Sequence, residues 1–188
     1  MKKIRILILL FALAPFIAGL YGVLNDQLTY TISPEYYTKF KFHQFGLTGL
    51  VNDTHPRIGV ALVGFLATWW VGLPMGLSLG LAGLIHTNSK QMLHVSLRAI
   101  AVTVLVTFAT GLIGLVYGKL YLAVAGVNWW LPDNLIDTGN FIAVGSMHNF
   151  SYLGGLIGVI AGTAYSVWQK RKRAATDAIR KDAAGPGT

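Results

Sequence analysis

The chain has 188 residues, of which 54% are hydrophobic and only 12% charged. That is about half the charged share of a soluble domain, too little to wrap a water-soluble shell. Its fifteen Lys and Arg outnumber seven Asp and Glu for a net charge of +8. They gather at the borders of apolar stretches rather than along a soluble face, which points away from nucleic acid, and the absence of cysteine excludes disulfides, thiolate metal centres and cysteine nucleophiles.

Four apolar stretches organise the sequence, at roughly 4–24, 58–85, 97–118 and 150–168. Each is long enough to cross about 30 Å of hydrocarbon as a helix. The expected fold is all-α: a polytopic membrane protein whose four transmembrane helices form one four-helix bundle over 1–170. Short interfacial helices are expected in its longer loops, 25–57 and 119–149, followed by a basic, partly disordered tail over 171–188.

The first stretch follows Lys2-Lys3-Ile4-Arg5, a start shared with secretory signal peptides. It stays apolar for about twenty residues, longer than an h-region of about 7–15, and no small-x-small cleavage site precedes Asn25. It reads as an uncleaved anchor, although cleavage would leave three spans with every later loop on the same side.

The connection that follows is dense in aromatics: Tyr30, Tyr36, Tyr37, Phe40, Phe42 and Phe45. Ser33-Pro34-Glu35 predicts a helix start, with a capping Ser, Pro at the first helical position and an acid near the positive end of the dipole. A short helix over about 34–45 would bury its rings in the headgroup boundary or against the bundle while Lys39 and Lys41 snorkel. Tyr121, Trp129 and Trp130 would let the second long loop do the same.

Four residues of these loops have metal-binding chemistry: His43, Asp53, His55 and His148. Two or three imidazoles and a carboxylate suit a borderline metal such as zinc or copper. They lie on separate segments and share no known spacing. Each also has an ordinary role, as turn residues around Pro56 or at the mouth of the fourth span.

In the second span Pro74 removes one backbone hydrogen bond and predicts a kink near Val71. Trp69 and Trp70 stand just before it, about 18 Å along the helix from Arg57 at 1.5 Å per residue. Tryptophans at that depth beside a proline read either as bulky packing or as walls of a cavity for a flat apolar ligand, with Trp69, Trp70 and Pro74 as the candidate ligand-binding residues. Gly72, Gly76 and Gly80 repeat at four-residue intervals, as do Gly154, Gly158 and Gly162 in the fourth span. Small-residue rows of this kind mark helix-packing faces in lipid.

Between the second and third spans, His86, His94 and Arg98 bracket a tight loop containing Asn88-Ser89. Axial ligation of haem would want histidines on facing helices, whereas these stand at span ends. No cofactor is therefore indicated. The fourth span ends in Tyr165 and Trp168 followed by Lys170, Arg171, Lys172 and Arg173, an aromatic-then-basic border suited to anionic lipid headgroups.

Eleven of the fifteen basic residues fall on the side of the two termini, leaving Lys39, Lys41, Arg57 and Lys119 opposite. The positive-inside rule then puts both termini in the cytoplasm. Short loops and the lysine-rich start suggest a multi-pass protein of a bacterial inner membrane. No phosphate loop, zincin motif or nucleophile elbow is present, so no enzymatic reaction is indicated. The sequence favours a scaffold or accessory subunit of a membrane complex, working with a membrane-protein partner or as a homo-oligomer. The alternatives are a transporter or binding protein for a small solute or apolar ligand, and a metal-binding membrane protein.

Overall fold

A computed structural model describes residues 2–49 and 55–183. Among the described residues the chain is helical with no strand. Four helices are long and apolar enough to cross a membrane: α1 (Lys3–Ile32), α3 (Pro56–Gly83), α4 (Ser89–Ala125) and α5 (Thr138–Ala183). A short helical segment, α2 (34–44), stands between the first two. The outer faces of the long helices expose Leu, Ile, Phe and Val side chains, such as Leu24, Leu105 and Ile160. In water such a surface would be a liability; in hydrocarbon it is the solvent-facing side.

Three of the helices run further than their apolar stretches. α1 continues eight residues past Leu24 because nothing stops it before Pro34, which disfavours helical backbone at Ser33. Thr29 and Thr31 return their hydroxyls to carbonyls one turn back, which keeps this polar extension helical. α5 begins at Thr138, twelve residues before the expected start, where the Asp137 carboxylate accepts the Asn140 backbone N–H at 2.8 Å. It also runs unbroken past residue 170 to Ala183, so the basic segment is helical as far as that residue, and residues 184–188 lie outside the described residues. α4 starts at Ser89 behind Asn88, whose side chain caps the Gln91 N–H, and widens near its far end into a π turn at Gly118–Leu122.

α3 answers Pro74 with a short 3-10 turn at Trp69–Val71. There the Gly72 N–H takes up the Trp69 and Trp70 carbonyls, the second of which a helical residue 74 would otherwise have bonded.

The helices pack as two close pairs, α1 with α3 and α4 with α5, and the pairs join mainly through the second half of α3. The glycine rows sit on these seams. A Cβ at Gly158 would lie 2.7 Å from the Thr103 carbonyl oxygen, and one at Gly162 would lie 2.8 Å from that of Ala99. Gly154 meets Thr107 and Thr110, while Gly72 and Gly76 meet Ala14 and Gly80 meets Leu7. Backbones this close let Thr103 donate across the seam to the Gly158 carbonyl at 2.9 Å. α1 and α5, by contrast, touch only sparingly.

Both ends of the bundle are closed. At the end carrying the termini, Lys3 and Lys170 donate to the Leu84 and Ile85 carbonyls at 3.1 and 2.6 Å. His86 lies buried beside them and bonds Ser166 at 3.0 Å. Burial, with Arg173, Lys170 and Lys3 nearby, holds its imidazole below the usual histidine range and so neutral at pH 7. At the opposite end α2 folds over the bundle, burying Tyr36, Tyr37 and Phe42 against Val60, Val63, Phe141 and Val144. The expected snorkelling of Lys41 does not occur. It is buried, bonded to Gln44 at 2.9 Å among the rings of Tyr36, Phe40 and Phe45. In the second long loop, residues 126–137 run without helix.

That loop is held by Glu35. Its carboxylate accepts the backbone N–H groups of Ile136 and Asp137 at 2.8–3.0 Å and pairs with Lys39 at 2.6 Å. Lys39 reaches on to the Asn134 carbonyl. These bonds lower the carboxyl from its usual 4.5 to about 2. Because the folded value is the lower one, the clamp contributes in full above about pH 4.5 and is lost as pH falls from there towards 2. Glu35→Ala should therefore speed hydrogen exchange at Ile136 and Asp137 by roughly tenfold at pH 7. Wild type should show the same loosening only in strong acid.

Candidate functional site

The extra turns of α1 and α5 carry polar groups into the interior. Asp26 stands six residues before the end of α1, and His148 ten residues into α5, about 15 Å along that helix from Thr138. They meet: Asp26 Oδ1 lies 3.1 Å from His148 Nε2, with the two side chains only 4% and 11% exposed. The other ring nitrogen, Nδ1, lies 2.9 Å from the Val144 carbonyl oxygen one turn back. Tyr36 of α2 stacks on the imidazole with ring centroids 5.0 Å apart, and Tyr37 shares a 2.6 Å hydrogen bond with Thr29. Burial, reinforced by the Asp26 carboxyl, pushes both phenols well above their ordinary range, so both are neutral hydrogen-bonding groups.

The accounting of polar atoms around Asp26 does not close. Its second oxygen, Oδ2, and Oδ1 of the neighbouring Asn25 are buried with no hydrogen-bond partner among the described residues. Buried acceptors are rarely left unpaired, because each costs about 1–3 kcal/mol of lost hydration. Both residues line a cavity of about 90 Å³. It runs between the two helix pairs, where α1 and α5 part. On α1 its wall extends from Asp26 back to Ala14, about 18 Å at 1.5 Å per residue. Its upper end is polar, with Tyr21, Ser151 and Tyr152 beside the pair, and below that the wall is apolar, with Met75, Leu79 and Ile100.

The sequence-derived sites fall differently. Trp69 and Trp70 are 39% and 52% exposed on the outer face and do not line the cavity; Pro74 is also exposed. The wall takes the neighbouring row, Thr68, Gly72 and Gly76, because Trp70 lies two positions from both Thr68 and Gly72 and so faces away. Of the metal candidates, His148 is committed to Asp26 and Val144, and His43 and His55 are exposed. Asp53 lies outside the described residues. Among the described residues no three His, Asp or Glu side chains converge as a metal site. Lys170 is engaged with Ile85, and Lys172 lies over the Trp168 ring at 5.3 Å, with Arg171 exposed beside it.

No family model, curated protein or solved structure matches this chain.

Asp26 was visible in the sequence only as a polar residue just past the first apolar stretch. The available signal was the unbroken run from Leu24 to Ser33, which contains no glycine or proline to end the helix before it.

Proposed function

We propose that this is a membrane-embedded binding protein for a small, slender, mainly apolar molecule with a polar head. The carrying observation is the cavity itself, apolar along most of its length and ending at an ionisable pair and two unpaired acceptors. Ionisable residues inside a membrane bundle are costly to bury and mark ligand or ion sites. The scaffold reading draws on glycine rows for helix contacts, an aromatic cap and few charges in lipid; the glycine contacts fall between helices of this chain, which supports packing of the bundle and does not account for the cavity. Placement in a bacterial inner membrane, with both termini cytoplasmic and the basic helix 171–181 over anionic headgroups, accords with the charge asymmetry and completes the proposal.

Filling the cavity tests it. A Cβ at Gly155 would meet only the flexible end of Met75, at 2.9 Å, so a larger side chain can enter the cavity without parting a seam. Gly155→Leu should remain folded and lose small molecules that copurify with wild type, read by mass spectrometry of solvent extracts. Trp70→Ala, on the outer face, should keep them. Equal extracts from wild type and Gly155→Leu would sink the reading.

A further inference from the structure

We infer that the Asp26–His148 pair holds one exchangeable proton, and that the cavity takes up a primary alkylammonium in exchange for it. The inference rests on the cavity being a ligand site and names the chemistry of its ligand.

The proton follows from the hydrogen bonds. The Val144 carbonyl can only accept, so Nδ1 of His148 carries a hydrogen and donates it. On a neutral ring Nε2 is then a bare lone pair, and it faces Asp26 Oδ1 at 3.1 Å. Two lone pairs do not make a contact. The arrangement therefore needs one proton between them, carried by the carboxyl or by the ring, and in either case the pair is neutral overall.

The class of ligand follows from what remains unpaired. Asp26 Oδ2 and Asn25 Oδ1 are both acceptors, so an incoming head must donate. A carboxylate head would bring a like charge and no donor. A hydroxyl head would donate once and leave the proton where it is. An ammonium has three donors, enough for the carboxylate, the Asn25 oxygen and the His148 Nε2 that the departing proton frees. One positive charge enters and one proton leaves to water, so the buried site stays neutral throughout. The apolar wall below, at Met75, Leu79 and Ile100, accommodates the alkyl tail.

Other titratable groups facing Asp26 do not blur this exchange. They are Lys41, Tyr36 and Tyr37 from α2, Tyr21 from α1 and Tyr152 from α5. Phenols titrate near 10 in water, far from the range of a carboxyl and an imidazole. Lys41 keeps its own bond to Gln44.

The test is calorimetric titration of the full chain in lipid nanodiscs with octylammonium, octanol and octanoate, repeated in buffers of different ionisation enthalpy to count protons. Octylammonium should bind with release of about one proton, and its apparent affinity should rise about tenfold per pH unit while the pair is protonated. Asp26→Asn keeps the shape and removes the exchange, so ammonium affinity should fall at least about tenfold while octanol binding persists. Ammonium uptake without proton release, or octanol binding more tightly than octylammonium to wild type, would overturn the exchange while leaving the cavity a ligand site. Failure of all three probes to bind wild type would remove both.

Discussion

A single methyl group at the crossing of Gly22 and Gly64, here placed on Gly64, should damage this fold severely. The added carbon would stand 2.4 Å from the Gly22 carbonyl oxygen and 2.9 Å from the Val23 nitrogen, and the reciprocal carbon at Gly22 would stand 2.1 Å from the Gly64 carbonyl oxygen. These are backbone atoms, so no rotamer change relieves the clash and α1 must move away from α3 by about an ångström. Overpacking costs about 1–3 kcal/mol where side chains can yield, and a rigid crossing belongs at the top of that range or above it. The movement would also break the Thr68 hydroxyl's bond to the Ala18 carbonyl, 2.8 Å long and on the same crossing. Gly64→Ala should lower the unfolding midpoint by roughly 6–12 °C, at about 2–4 °C per kcal/mol for a chain of this length. The control is Gly145→Ala, where the nearest atom, on the Tyr36 ring, lies at an ordinary 3.5 Å. There the gain in helix propensity should leave the midpoint unchanged or raised. A Gly64→Ala protein as stable as wild type would mean that the α1–α3 crossing is looser than these distances.

His148→Ala is the second large effect. Removing the imidazole leaves a carboxyl that is 4% exposed with neither of its oxygens paired. Breaking a buried pair from one side costs about 3–5 kcal/mol, because the abandoned partner is the expensive one. Removing both partners takes that penalty away. The double variant Asp26→Ala with His148→Ala should therefore be more stable than His148→Ala alone, with a coupling of roughly 1–3 kcal/mol in the double-mutant cycle. Additive losses, measured by thermal unfolding in one detergent, would mean that the two side chains do not interact energetically. Tyr36 gives the cycle a further readout. It stacks on His148, so loss of the ring should loosen α2 as well as the α1–α5 contact.

Much of the architecture was legible in the sequence because lipid imposes few and strong demands. Four apolar stretches, the glycine rows and the helix start at Pro34 all correspond to features of the fold. The site was less legible, for reasons that particular residues make plain. Hydropathy marks where hydrocarbon ends, not where a helix ends. Asp26 and His148 lie outside the apolar stretches and so read as loop residues, while the helical backbone runs on to Ile32 in α1 and back to Thr138 in α5. Their meeting joins residues 122 apart in sequence, which no local pattern records. Bulk near mid-span suggested either packing or a cavity wall, and the helical phase of Thr68, Gly72 and Gly76 turns Trp70 to the outside. The His43, His55 and His148 grouping shared only its side of the bundle. Sharing a side does not bring rings together.

α5 is 46 residues of uninterrupted helix, about 69 Å at 1.5 Å per residue. A membrane with its headgroups is about 40–45 Å thick, so this helix must overshoot it. It carries His148 near one end and the basic residues 170–181 near the other. It is one continuous helix from the basic end to the imidazole, more than 30 Å away, so a displacement at one end has a direct covalent path to the other. A partner or lipid surface gripping that end would hold a lever on the buried pair without coming near the cavity.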